Sequence, residues 1–338
     1  MQFRAIAKSS IEVLSRYRFL RVLFPILKLY FERNNSYESR IKLGQSIDLL
    51  QRSILFWRYA PRKYEGGVVL NLIGYQVFRY VYYNLRFKLR QSVRSSILPS
   101  HLSREMQDNG FVVWPNALAP ADMQAILDFF EQHQSHKINH FEDLSELVIA
   151  TSKGPIKDSA DYQRIHSLIR KACRWDEIGM LLTRKHFSIS PYVSILHNKS
   201  RKEISLQEDG QDTPHSDVFY PSFKAFFYLS DVEVENAPLT YYKGSHACGL
   251  SRAMREYGDS IRYFRGAKND VKPMSLLPYV ERHGFPKTPL IGAKGAAVLF
   301  NVQGVHRRGD FLKDRDRERK VLLVDFRQVE TTFQRFAA

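Results

Sequence analysis

From about residue 186 onward the chain is a series of short, hydrophobic, β-like runs, and this constrains its fold more than any other feature. FSISPYVSIL (187–196), FKAFFYLSDV (223–232), APLTYY (237–242), GAAVLF (295–300) and KVLLVDF (320–326) are each bounded by Gly, Pro, Asn or Asp. β-Branched and aromatic side chains suit the pleated, half-buried surface of a sheet. Closely spaced short strands predict a barrel or sandwich rather than alternating βαβ units. No GxGxxG opens a helix, and no GxxxxGK is followed by Ser or Thr. The phosphate-binding turns of dinucleotide and P-loop proteins are therefore missing.

Ahead of these runs the text differs. NGFVVWPNALAP (109–120) reads as a turn, a short strand and a loop. Pro120, Ala121 and Asp122 then open an amphipathic helix with Met123, Ile126, Leu127 and Phe130 on one face. The stretch 133–165 is polar and receives no assignment. Residues 1–100 read as helical and rich in aromatics: Leu14, Tyr17, Leu20, Leu23 and Leu27 recur at threes and fours among basic residues. A second such stretch runs from about 66 to 97, beyond the breaks at Pro61 and Gly66–Gly67. We therefore expect a helical N-terminal region, 1–100, and a β-rich domain, 101–338.

Charge separates the same two parts. The whole chain of 338 residues carries +16. Residues 1–100 hold 18 Lys and Arg against five Asp and Glu, leaving +13, so the remainder is nearly neutral at +3. An anionic partner would meet the N-terminal third. The most apolar stretches, 22–31 and 68–78, fall short of the ~18–20 residues a spanning helix needs. A basic, aromatic region without a span suits either peripheral contact with an anionic membrane or a helical layer packed on the barrel with its basic residues solvated, and the expected location is cytoplasmic, with or without that contact. Nucleic acid is not the expected partner, because the charge sits outside the β-rich part. Two cysteines, Cys173 and Cys248, make no disulfide framework or Cys-rich zinc module.

The chemistry-bearing words are PHSDVFY (214–220) and NVQGVHRRGD (301–310). His215 and Asp217 stand two apart, so at a strand end both side chains point to one face. A third ligand from a distant strand would complete two imidazoles and one carboxylate, the facial set that leaves open positions on Fe(II). The pair alone is weak, since such spacings also occur in surface turns. His133, His136 and His140 are spaced near one helical face, but their polar setting and the lack of a fourth ligand argue for a solvated face rather than zinc.

In order along the chain, His215-Ser216-Asp217, YLSDV (228–232), ENAPL (235–239), KGSH (243–246), His306 and a following Arg resemble the phytanoyl-CoA dioxygenase family of iron- and 2-oxoglutarate-dependent oxygenases. GFVVWPNAL (110–118) resembles the family's opening segment, and the likeness covers about 104–328. It implies an α+β chain whose barrel is a double-stranded β-helix, a jelly roll with flanking helices. It implies Fe(II) held by His215, Asp217 and His306, with 2-oxoglutarate and O2 as co-substrates. A guanidinium is expected on the distal carboxylate of the keto acid. Arg317 fits the family's count from the late His. Arg319 fits the strand, directly preceding Lys320-Val321-Leu322, and is preferred because strand phase is strict while loop length is not. Asn198, Lys199 and Phe226 are implied as residues near the co-substrate. The family's usual proline in the KGSH turn is Lys243 here. A carboxylate at 217 favours hydroxylation of a small or lipid-linked substrate, because a non-ligating residue there would open a halide site. The alternatives are a non-catalytic barrel that binds a membrane or partner through residues 1–100, a nucleic-acid demethylase, and a cupin-like isomerase or hydrolase using Zn or Mn.

Overall fold

In a computed structural model the described residues are 67–91, 100–141, 144–150, 160–174, 178, 192–199, 211–265, 275–310 and 318–326. Two helices come first, α1 (Gly67–Leu72) and α2 (Tyr75–Gln91), broken at Gly74, whose φ of 89° favours glycine. Helix α3 (Ser100–Asn109) leads into β1 (Phe111–Trp114) and α4 (Pro120–Gln132). Then come β2 (Ile138–Phe141), β3 (Leu144–Ala150) and α5 (Ala160–Ala172). The β-rich part continues with β4 (Tyr192–Lys199), β5 (Phe223–Tyr228) and β6 (Leu239–Tyr242). Helices α6 (Leu250–Arg265) and α7 (Leu277–His283) separate these from β7 (Lys287–Pro289), β8 (Ala297–Asn301), β9 (His306–Arg308) and β10 (Glu318–Phe326).

The strands form a mixed helix and antiparallel-sheet protein. A seven-stranded sheet has the order β1-β8-β5-β10-β4-β3-β2, and a three-stranded sheet has the order β7-β6-β9. All the pairings are antiparallel. Strands β5, β8 and β10 carry apolar residues on both faces because both faces are covered. Phe223, Ala225, Phe227, Leu299, Leu322 and Val324 join Ile126 and Phe130 of α4 and Ile165 and Ile169 of α5 in one core. The alternate residues Tyr228, Val298, Phe300 and Val321 join Leu239 and Tyr241 of the small sheet in a second core. Period-two geometry thus sends every other side chain of the large sheet toward the small one, and the candidate site lies on that side.

The predicted helix at Pro120 runs to Gln132 with Met123, Ile126, Phe129 and Phe130 buried. The unassigned polar stretch contains β2, β3 and the start of α5. The predicted helices before residue 67 lie outside the described residues. No helix among the described residues is long and apolar enough to cross a membrane.

Candidate metal centre

The segment Pro214–Asp217 runs alongside the start of β9. His215 and His306 exchange backbone hydrogen bonds, N–H to O at 3.0 and 2.9 Å, and Asp217 N–H donates to the Val302 carbonyl at 3.0 Å. These pairings bring two ligands near each other in sequence to a third about ninety residues away. His215 and His306 each place Nε2 3.6 Å from Asp217 Oδ1. One ligand atom from each of His215, Asp217 and His306 lies within 4.8 Å of the others, and among the described residues this is the one such group.

The imidazoles are fixed from behind. His215 Nδ1 sits 2.7 Å from the Thr213 carbonyl and His306 Nδ1 3.0 Å from the Gly304 carbonyl. A carbonyl only accepts, so Nδ1 carries the proton and Nε2 presents its lone pair to the site. This is the tautomer that metal-binding histidines use. Asp217 completes the set with its other oxygen: Lys224 of β5 donates to Oδ2 at 2.7 Å. Burial pushes the Asp217 carboxyl up, but the Lys224 ammonium, joined by the imidazoles whenever they are protonated, outweighs it and holds the carboxyl well below its usual range. The donor set therefore fits one Fe(II): two neutral nitrogens and one ionised carboxylate.

Arg319 stands on β10, directly opposite Asn198 of β4, and both side chains are buried. Its guanidinium donates to the Ala237 carbonyl and, at 3.1 Å, to Asn198 Oδ1. Both acceptors are neutral, its Nε is buried without a partner, and no carboxylate pairs with it among the described residues. Burial, with Arg308 nearby, pulls its pKa down to about 10, so it stays charged at neutral pH. A buried cation with neutral partners is costly, and its fork suits a carboxylate. Strand β6 starts two residues after Ala237, and its Tyr241 registers with His306.

The other sequence-predicted residues divide. Asn198 is brought to Arg319, and half-buried Phe226 packs on Phe300 with ring centroids 5.1 Å apart. Lys199 is not brought to the site: it is exposed, because it is the next residue of β4 after Asn198 and points the opposite way. Arg317 lies outside the described residues. His246 of the KGSH turn is no ligand; its Nε2 bonds the Gln107 carbonyl at 2.9 Å. His133 stacks on Phe129 and binds the carbonyl of that residue through Nδ1, also away from any metal cluster. Two residues went unnoticed in the sequence. Lys224 faces the site because β5 alternates Lys224, Phe226 and Tyr228 on one side. Arg308 follows His306 by two positions, and pairs with Asp212 at 2.9 Å.

Two imidazoles and one carboxylate brought together in this way could hold one metal ion, as in mononuclear non-haem centres. Residues 106–317 match the family model described as Phytanoyl-CoA dioxygenase (PhyH). That is more than half of the chain, and the chain belongs to this family of iron- and 2-oxoglutarate-dependent oxygenases. No curated protein matches it. Among solved structures it is similar to the epimerase SnoN in complex with Fe3+, alpha ketoglutarate and nogalamycin RO, at 17% identity over 68% of this chain and 82% of that one, with a TM-score of 0.44. It is also similar to HygX from Streptomyces hygroscopicus with nickel and 2-oxoglutarate bound, at 18% identity over 68% and 87%, TM-score 0.42. A third is EctD from S. alaskensis with bound Fe, at 10% identity over 70% and 79%, TM-score 0.43.

Proposed function

We propose that this chain is an Fe(II)- and 2-oxoglutarate-dependent dioxygenase that hydroxylates a small or lipid-linked organic substrate. The observation that carries the reading is the triad itself, with both Nδ1 atoms held on backbone carbonyls so that both Nε2 atoms converge on Asp217. His215, Asp217 and His306 hold the metal, and the two sheets form the double-stranded β-helix around it. Bound iron supplies the redox chemistry that couples O2 reduction to conversion of 2-oxoglutarate into succinate and CO2. Arg319, steadied by Asn198, receives the distal carboxylate of the keto acid. Lys224 keeps Asp217 ionised and occupies its outer oxygen, leaving Oδ1 for the metal. Phe226 and Phe300 supply an apolar wall that excludes water. The test is succinate formation from 2-oxoglutarate with Fe(II). We expect turnover in the wild type and none in His215→Ala, Asp217→Ala or His306→Ala, each still folded. Full activity in these variants, or no metal uptake by the wild type, would sink the reading.

We further propose a peripheral membrane contact through the basic N-terminal third. Here α1, α2 and the turn between them leave Leu72 (45% exposed), Ile73 (51%), Phe78 (67%) and Val81 (49%) at the surface. Apolar side chains within a region of +13 suit an anionic interface. Flotation with anionic vesicles at low salt is expected, weakening above ~0.15 M salt and in Phe78→Ser/Val81→Ser. No flotation of the full chain would remove this reading.

A further inference from the structure

Behind the ligand segments, on the side away from the metal, lies a buried charged cluster. Arg252 of α6 is 1% exposed, the largest fully buried side chain among the described residues. Its Nε donates to Glu256 Oε1 at 3.0 Å, and Glu256 is itself 2% exposed. Its Nη2 donates to Ser216 Oγ at 2.8 Å and to the Gln303 carbonyl at 3.2 Å. Ser216 stands between the two ligands His215 and Asp217. In extended backbone alternate side chains point opposite ways, so a chain that turns 215 and 217 to the metal turns 216 to α6. Gln303 lies in the turn that leads to His306. Its side-chain amide donates to Asn84 Oδ1 of α2 and to the Phe219 carbonyl, both at 3.0 Å. One guanidinium thus grips both ligand-bearing segments from behind, and α2 backs the second grip.

Filling space does not require this arrangement. A buried ion pair is no more stabilising than well-packed apolar residues of similar volume, and is often less so. What an apolar pair cannot do is bond Ser216 and Gln303 at once. The backbone pairing of His215 with His306 fixes the two segments along one line only; Arg252 adds an anchor off that line. Burial opposes the Arg252 charge, and Glu256 is the foremost of the groups that together outweigh it, so the clamp stays cationic.

We propose that Arg252 is a positioning residue of the metal centre, setting the separation between the His215–Asp217 segment and His306, with Asn84 of α2 supporting it through Gln303. The proposal rests on the metal-binding reading above. Partners that orient metal ligands typically change metal affinity 10–100-fold when lost.

The experiment measures Mn(II) affinity by calorimetry and melting of the metal-free full chain, side by side. Arg252→Met/Glu256→Leu removes the clamp without leaving a buried unpaired charge. Its metal-free melting should stay near that of the wild type, while Mn(II) binding weakens about tenfold or more. Ser216→Ala removes one bond of the clamp and should weaken Mn(II) on the order of fivefold, again with little change in melting. A folded double variant that binds Mn(II) as the wild type does overturns the proposal. If the double variant does not fold, Ser216→Ala decides, and unchanged affinity there overturns it. If the wild type takes up no Mn(II) and His215→Ala behaves identically, the metal-centre reading itself falls and takes this one with it. Equal binding by wild type and double variant removes only the role of Arg252.

Discussion

At the scale of single residues, Arg319 is a buried cation held by a backbone carbonyl and an amide oxygen, and its removal should have opposite effects on folding and on co-substrate binding. Taking a poorly compensated charge out of the interior relieves a desolvation cost, so Arg319→Met should melt no lower than the wild type without co-substrate. Losing the partner of a buried carboxylate costs on the order of 2–5 kcal/mol, which is about thirtyfold or more. The apparent KM for 2-oxoglutarate should therefore rise at least that far in Arg319→Met while Mn(II) affinity survives. Arg317→Ala should leave that KM unchanged. The reverse pattern, with Arg317 setting KM, would show that spacing from His306 governs rather than strand phase. That His215 and Asp217 share a face was legible from their strand spacing, and the place of Arg319 near the start of β10 from the apolar run that follows it. Lys224, Arg308 and Arg252 were not. Each makes contacts that only the folded chain creates: Lys224 through the pleat of β5 that aims it at Asp217, Arg308 with Asp212, and Arg252 with Ser216 and Gln303. A single sequence carries no record of such pairings.

Among the elements, the turn between β8 and β9 is the most exacting. Gly304 lies so close to Tyr241 that an added Cβ would overlap the Tyr241 hydroxyl and ring. Tyr241 has no room to retreat: it is 0% exposed, and its hydroxyl donates to the Asn301 carbonyl at 2.9 Å. The Gly304 carbonyl meanwhile accepts the proton of His306 Nδ1. Gly304→Ala should therefore destabilise by ~1–3 kcal/mol through overpacking, a drop of several degrees in Tm, and weaken Mn(II) binding because the carbonyl that orients His306 must move. Unchanged melting and metal affinity would mean that β6 and this turn are looser than their packing implies. The five β-like runs all contain strands at these positions, because apolar residues bounded by Gly, Pro or Asp leave little else for them to form. FSISPYVSIL contributes only from Tyr192 onward among the described residues. Strands β2 and β3 escaped notice because they border the sheet beyond β4, where INHF and LSELVIA need fewer apolar residues than β5 or β10. Helix α6 was equally hidden. Its sequence LSRAMREYGDSIRYFR is strongly charged, and its buried face is made of Arg252, Ala253, Glu256, Asp259 and Ser260 rather than of large apolar residues.

For the whole molecule, the open question is where the catalytic unit begins. Charge and composition suggest a boundary at residue 100; from the packing we propose that the unit extends further toward the N-terminus. Helices α1 and α2 both lie against α6. Tyr80 of α2 is 0% exposed and clusters with Phe219, Tyr220 and Ala253, and Arg79 lies 4.5 Å from the centre of the Phe219 ring. The Tyr257 hydroxyl of α6 donates to the Leu72 carbonyl at 3.0 Å, and Asn84 accepts the Gln303 amide. A chain beginning at Gly67 and one beginning at Ser100 should therefore differ sharply. The shorter one uncovers Phe219 and Ala253 and leaves the Gln303 amide without its side-chain acceptor. Each large apolar side chain that loses its cover costs ~1.5–3 kcal/mol, so a loss on the order of 5 kcal/mol is expected. For a domain of this size that lowers Tm by roughly 10–20 °C. The same cut should weaken Mn(II) binding, because Gln303 steadies the turn before His306, whereas the substitution Phe78→Ser, on the exposed face of α2, should change neither property. Melting and metal affinity measured on the two truncated chains decide the matter. If they agree within error, the boundary lies at residue 100 as charge alone suggests, and α2 is an appendage rather than part of the metal centre's support.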